Sequence, residues 1–129
     1  MAPRTRSLVV QRLRRRTDIQ RVLREGRRAQ SDVLVLHARQ RNRDEPTPNG
    51  IRLAVIAVRR FATAVARNRA RRIVREASRV LLEDVCGAWD LALMVRAEAL
   101  EQPYQERLAA LADLFRQVGV VSGHGAAVQ

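Results

Sequence analysis

The sequence contains no lysine: all 25 of its basic residues are arginine. GC-rich coding accounts for such a bias without any function attached. It still has a physical consequence, because arginine presents a planar fork that grips phosphate at two points and stacks on bases. Cysteine is also scarce. The one copy, Cys86, makes neither an internal disulfide nor a zinc site alone, and reads as a small buried hydrophobe. The two histidines, His37 and His124, lie far apart with no Cys/His cluster beside either, so a metal site is not expected. Carboxylates are scattered, and the nearest pairs are Asp44-Glu45 and Glu83-Asp84. A nuclease working through two protein-bound metals needs them clustered. No apolar run approaches the ~20 residues of a membrane span. Met1 to Arg16 is basic but holds only Leu8-Val9-Val10 as an apolar run, too short for a signal-peptide core. The expectation is a cytoplasmic chain with no membrane attachment.

What remains is 129 residues, 47% hydrophobic, with a formal net charge of +12. That length suits one domain with a modest core, and the apolar fraction excludes a disordered basic tail. The charge surplus calls for a polyanionic partner, nucleic acid above all. It is unevenly spread. Residues 1–79 hold 22 arginines and 6 acids, a net of +16, whereas residues 80–129 hold 3 arginines and 7 acids, a net of −4. The electropositive surface therefore belongs to the first two-thirds, and the last third serves the core and solubility.

Along the chain, residues 1–16 read as a flexible basic arm. Thr17 reads as a helix N-cap with Gln20 completing a capping box, and Gly26 as the terminator, giving a helix over Asp18–Glu25. Residues 27–30 form a candidate short strand, and Val33–His37 a better one. Residues 40–50 end in Pro46-Thr47-Pro48-Asn49-Gly50, a turn or loop. Ile51–Val58 is a strand apolar enough to be buried on both faces. Residues 64–85 make the long helix. Ala66, Ala70, Ile73, Val74, Ala77 and Leu81 form its apolar face; Arg67, Asn68, Arg71, Arg72, Arg75 and Arg79 lie opposite. Gly87 ends it. Trp89–Val95 is the last strand. Pro103 starts a final helix at its first turn, with Leu108, Leu111, Ala112 and Phe115 as its buried stripe. Residues 118–129 read as a frayed tail, so residues 17–117 make one RNA-binding domain. The order αβββαβα predicts an α/β sandwich with a small mixed four-stranded sheet.

The informative stretch runs from Val58-Arg59-Arg60-Phe61 through Ala62-Thr63-Ala64-Val65-Ala66 to Arg67-Asn68-Arg69-Ala70-Arg71-Arg72-Ile73-Val74-Arg75-Glu76. A strand ends in two arginines, and a helix then opens with Arg-Asn-Arg. Helix N-termini offer free N–H groups and a positive partial charge. Arg67, Arg71 and Arg75 repeat every four residues and share one face. An ordinary solvated face mixes both signs, yet Glu76 is the only acid between Glu45 and Glu83. Like charges four apart oppose helix formation by a few tenths of a kcal/mol each, so a cluster of this kind points to an anionic partner.

This stretch closely resembles the signature of the ribonuclease P protein family: a basic pair ending a strand, an Ala-Val step, Arg-Asn-Arg, a second basic pair, then Ile-Val-Arg-Glu. Arg12-Leu13-Arg14 with Asp18-Ile19-Gln20-Arg21-Val22-Leu23 and Gly26 look like the family's first helix. Val35-Leu36-His37 resembles its central strand, and Asp90-Leu91-Ala92-Leu93-Met94-Val95-Arg96 its last one. The similarity covers roughly residues 12–116. It implies an α/β sandwich with a left-handed βαβ crossover, similar to the second domain of a small-subunit ribosomal protein. It also implies a subunit of a bacterial endoribonuclease whose partners are ribonuclease P RNA and precursor tRNA, with no stable protein partner required. In such an enzyme the RNA and its magnesium ions hydrolyse the phosphodiester, so no catalytic residue and no protein-bound metal is implied here.

By the same resemblance, Arg59, Arg60, Arg67, Asn68, Arg69, Arg71, Arg72 and Arg75 would meet the RNA subunit. Arg15, Arg16, Ile19, Leu23, Val35 and His37 would line a groove for the 5′ leader. Ile19, Leu23 and His37 stand where the family often has aromatics. Ala62-Thr63 stands where it usually has Gly-Asn. A structural ribosomal-type RNA binder is the alternative reading; its size and charge would be the same, but it does not need the Arg-Asn-Arg helix. A sequence-specific DNA binder fits less well, since no helix-turn-helix pattern is present.

Overall fold

Period-two burial in the strands and a 3.6-residue stripe in the helices organise three layers around one mixed sheet. The computed structural model describes residues 10–121 apart from 43, 46–49, 84 and 86. The strands are β1 (Val10–Arg12), β2 (Arg27–Gln30), β3 (Leu34–Gln40), β4 (Ile51–Ala57) and β5 (Trp89–Val95). The helices are α1 (Arg16–Glu25), α2 (Ala64–Leu82) and α3 (Tyr104–Gln117), with a 3₁₀ turn at Ala97–Glu101. The sheet order is β1-β4-β5-β3-β2. β4 is parallel to both β1 and β5, while β3 is antiparallel to β5 and β2. β4, α2 and β5 thus form a βαβ unit whose strands are neighbours.

Alternation divides the strand residues between two faces. Leu34, Leu36, Ala38, Ile51, Leu53, Val55, Leu91, Leu93 and Val95 join the main core with Ala70, Val74, Leu82, Leu111, Leu114 and Phe115 from α2 and α3. On the other face, Ala54 and Ala92 pack with Leu13 and Val22, and Ile19 and Leu23 close over them from α1. The two alanines let α1 lie close to the sheet.

The end of α1 shows how close. A Cβ on Gly26 would stand 2.6 Å from the Val22 carbonyl oxygen and 2.8 Å from that of Ala38. Gly26 has an extended backbone, φ −79°, so it is required by close approach to β3 and not by a left-handed cap. Gly87, at φ 114°, does need left-handed freedom where the chain enters β5.

Several sequence expectations are corrected. The sheet has five strands, not four, because Val10–Arg12 pairs with Ile51–Leu53. Residues 10–16 are therefore not a flexible arm: Leu13 is buried and its N–H donates to the Leu53 carbonyl at 3.0 Å. Three residues carry no readable periodicity, so only pairing defines this strand. The Thr17/Gln20 capping box does not form; α1 starts earlier, at Arg16, with Arg15 as an N-cap that makes no side-chain bond. β3 runs to Gln40, α2 stops at Leu82, and Pro103 is the N-cap of α3, one residue before its first turn. Val118 and Val120 are buried against the main core, so the packed domain extends past 117. Residues 1–9, the Pro46–Asn49 part of the expected turn, Cys86, and residues 122–129 with His124 lie outside the described residues.

Beneath one side of α1 lies an ion network that charge counting does not suggest. Asp90, 1% exposed, accepts from Arg41 Nη1 at 2.5 Å and from Arg52 Nε and Nη2, both at 2.7 Å. Arg52 also faces Asp18 of α1 at 3.6 Å. Arg39 joins Glu25 of α1 at 3.3 Å and pairs with Glu45. Removing one partner of a buried pair strands the other charge, at a cost of about 3–5 kcal/mol. Asp90→Asn is therefore expected to destabilise by about that much in urea unfolding, whereas Glu25→Gln, at an exposed carboxylate, should cost much less. Equal small losses for both would show that Asp90 does not organise this region.

Candidate RNA-binding surface

α2 is held at its start by Thr63, whose Oγ1 accepts from the Ala66 N–H at 3.0 Å. The helix has no acid in its first turn. Ala70, Val74, Ala77, Ser78 and Leu82 are buried, which fixes the azimuth of the arginines. Asn68, Arg69, Arg72 and Arg79 are exposed, whereas Arg67, Arg71 and Arg75 are half-buried along the helix flank. Arg67 lies over the Phe61 ring, 5.1 Å from its centroid. Asn68 Oδ1 accepts from Arg71 Nη2 at 2.6 Å, which orients that guanidinium. Arg60 is exposed in the connection before the helix. Apart from Asn68, no described side chain accepts a hydrogen bond or ion pair from these arginines.

The second feature is the sheet face that α1 leaves open. α1 covers the row Arg52–Asp90–Arg39 and packs on the row Ala54–Ala92–His37, as the strand register and ion pairs show. The next row is Ile56–Met94–Val35, three apolar side chains in adjacent register, all only half-buried. This strip is the floor of a groove running across the strands. It ends in a recess on each side.

One recess, about 370 Å³, lies at the outer edge of β4 and is lined by Arg12, Arg14, Ile19, Ala54, Ile56 and Arg75. β1 pairs with β4 only as far as Leu53, so the edge beyond has no strand partner among the described residues. Burial and the neighbouring Arg12, Arg79 and Arg71 charges pull the Arg75 pKa below the ordinary arginine value, and its Nε is buried without a partner.

The other recess, about 600 Å³, lies at the far end. Val35, Val58 and Met94 supply its apolar wall, and Arg28, Arg59 and Arg96 its charge. Arg59 has φ 67°, the one positive value at a non-glycine among the described residues, and this conformation turns the chain sharply between β4 and α2. Arg59 thus belongs to the groove end as well as to the connection before α2.

His37 is half-buried beside Ala92 in the middle row, directly opposite Arg28 of β2. Desolvation, then the Arg28 charge, lowers its pKa from the ordinary 6.5, so the ring is neutral at pH 7. Its Nδ1 is buried with no partner. Of the expected groove residues, the structure brings Ile19 and Val35 to opposite ends of one strip, with Leu23 on the sheet-facing side of α1 and His37 in the row on which α1 packs. Arg15 and Arg16 are exposed at the start of α1, outside both recesses. Sequence reasoning missed Arg12, Arg14, Arg28, Arg96, Ile56 and Met94. The row partners become legible only once the strand register is known. Among the described residues no three His, Cys, Asp or Glu side chains converge as a metal site would require, and no helix is long and apolar enough to cross a membrane.

Comparison with known proteins follows the same outline. A sequence model of the family described as Ribonuclease P matches residues 9–119. A ribonuclease P protein component from Chloroflexus aggregans (strain MD-66 / DSM 9485) is 40% identical over 107 residues, spanning 82% of this chain and 76% of that one. Another, from Roseiflexus castenholzii (strain DSM 13941 / HLO8), is 37% identical over 116 residues, spanning 87% and 88%. Among solved structures, the RNase P protein from Thermotoga maritima superposes with a TM-score of 0.69 at 25% identity, covering 84% of this chain and 97% of that one. The Staphylococcus aureus RNase P protein gives 0.71 at 20% identity, covering 87% and 98%, a likeness of fold.

Arg69→Ala and Arg72→Ala remove exposed guanidinium groups with no partner among the described residues, so each should shift stability by less than ~0.5 kcal/mol while weakening association with RNA several-fold. Arg67→Ala is a poorer probe, because it also loses the Phe61 contact, about 0.5–1 kcal/mol. Filter binding alongside thermal melting decides it; a large fall in melting temperature with unchanged RNA affinity would make these side chains structural.

Proposed function

The chain belongs to the ribonuclease P protein family, and from that premise we propose that it binds the catalytic RNA of ribonuclease P through α2 and the 5′ leader of precursor tRNA through the transverse groove. The observation that carries this reading is the pairing of two arginine-lined surfaces with an open apolar strip on one small domain. The family makes it a subunit of a ribonuclease.

The chemistry of cleavage is assigned to the RNA subunit and the magnesium ions it holds. This chain supplies binding and orientation. The outward arginines of α2, Arg69 and Arg72 with Arg60 before them, take phosphates of the RNA subunit. Asn68 holds Arg71 in place beside them. Condensed counterions released from the RNA favour this association at low salt.

In the groove, single-stranded leader would lie across β4, β5 and β3, with its bases against Ile56, Met94 and Val35. Four strands from β4 to β2 span about 15 Å at the ~4.8 Å strand spacing, enough for a short stretch of nucleotides. The floor is aliphatic, so contact with bases is apolar rather than aromatic stacking, which contributes about 1–3 kcal/mol per base where it occurs. Weak base preference follows. His37, half-buried and neutral, adds an uncharged ring beside the strip. Arginines at both ends hold the phosphates.

Reconstitution tests this directly. The chain mixed with bacterial ribonuclease P RNA and precursor tRNA should restore 5′ cleavage at a magnesium concentration too low for the RNA alone. The chain without RNA should cut nothing under any divalent metal. Cleavage by the protein alone, or no effect of the protein on the RNA's magnesium requirement, would refute the assignment.

A further inference from the structure

We infer that Phe61 is a positioning residue for the RNA contact, resting on the α2 reading above: its ring holds the Arg67 guanidinium in place before RNA arrives, without neutralising it. The chain has two phenylalanines, one tryptophan and one tyrosine. Trp89 and Phe115 are buried in the main core, and Tyr104 begins α3. Phe61 is the one that stands in the arginine-rich stretch between β4 and α2. Arg67 is the one arginine among the described residues that lies over a ring, 5.1 Å from the centroid.

The ring is itself fixed. Phe61 is half-buried and packs against the main core. On one side of it Arg59, at φ 67°, turns the chain out of β4; on the other the Thr63 hydroxyl caps α2. The connection therefore sets ring and helix relative to each other, and Arg67 bridges them.

What holds a guanidinium decides what it can still do. A carboxylate takes the N–H fork and cancels the charge, as Glu45 does for Arg39. A ring attracts the cation through its quadrupole and adds no negative charge, so the N–H donors stay available to phosphate. Arg71, one turn further on, is held comparably: the Asn68 amide oxygen takes one donor at 2.6 Å and leaves the charge. Arg67 and Arg71 are thus half-buried guanidinium groups set in position and still cationic, on one flank of α2. Arg60, Arg69 and Arg72 are exposed, with no partner among the described residues. They attract RNA but lose their freedom when they grip it. Immobilising one such side chain weakens binding by about two- to ten-fold, and at Arg67 the ring has already removed most of that freedom.

The test is a double-mutant cycle on affinity for bacterial ribonuclease P RNA, by filter binding over a range of salt, with thermal melting of every variant. Phe61→Leu keeps apolar bulk against the core and removes the π-face. It should weaken binding about three- to five-fold. The slope of log affinity against log salt should stay as in the parent, because Arg67 is still there to neutralise its phosphate. Arg67→Ala should weaken binding about ten-fold and reduce the steepness of that slope by about one. Adding Phe61→Leu to Arg67→Ala should then weaken binding no further. Phe61→Tyr, which keeps the ring, should bind as the parent does. A Phe61→Leu loss of the same size in the Arg67→Ala background would make Phe61 a prop for the helix as a whole, and would overturn its role at Arg67. Parental affinity in Phe61→Leu would overturn it too. If Arg67→Ala binds RNA as the parent does while Arg69→Ala does not, the α2 reading stands and the role of Phe61 falls. If neither arginine matters, both fall.

Discussion

One buried carboxylate holds the working surface in shape. Asp90 collects Arg41 and Arg52 directly, with Arg39 4.0 Å away, and two of these reach on to acids at either end of α1: Arg52 to Asp18, Arg39 to Glu25. A buried ion cluster contributes little net stability, because desolvation offsets most of its attraction. Its effect here is positional. It fixes α1 across one end of the sheet, where Ile19, Val22 and Leu23 meet Ala54 and Ala92, and so leaves the row Ile56–Met94–Val35 uncovered. Were α1 to slide by one row, the strip would be buried and the groove gone.

The arginines consequently divide into two populations with opposite physics. Arg39, Arg41 and Arg107 are buried and Arg52 half-buried, and each finds acceptors within the protein; Arg107, for instance, donates to the Gln102 and Ala99 carbonyl oxygens at 2.7 and 3.3 Å. The outward ones on α2 and at the groove ends have few or no protein acceptors. Arg75 shows the tension between the two: it is half-buried among Arg12, Arg71 and Arg79, and no described carboxylate pairs with it. A fold that carries such repulsion unrelieved loses stability by it. Under the proposed function RNA would supply the missing negative charge, so binding and relief of strain would be one event.

Much of this was legible in the sequence. The 3.6-residue stripe of α2, the apolar runs of β4 and β5 and the Arg-Asn-Arg opening gave those elements to within a few residues, and the similarity of that stretch to a known family gave the function. What was not legible depended on pairing. β1 is three residues long and exists because β4 offers an edge. The Thr17 box lost to an earlier start at Arg16, where β1 delivers the chain. Gly26 does cap α1, as read, but it is close packing against Ala38, not left-handed freedom, that requires a glycine there. Arg39, Arg41 and Arg52 entered only as part of the positive charge of residues 1–79, because sequence counts charge and does not show which acid lies opposite. The groove floor was half visible: Val35 followed from resemblance, whereas Met94 and Ile56 required the register.

The central claim is that unpaired arginines on this domain bind RNA through phosphates, and its most direct measurement is the salt dependence of affinity for ribonuclease P RNA. Neutralising about five to eight phosphates gives a slope of log affinity against log monovalent salt of about −4 to −7. A slope in that range is the predicted result. A slope near zero would mean that the charge so prominent in the sequence is not what holds the RNA, and the account would be wrong at its foundation.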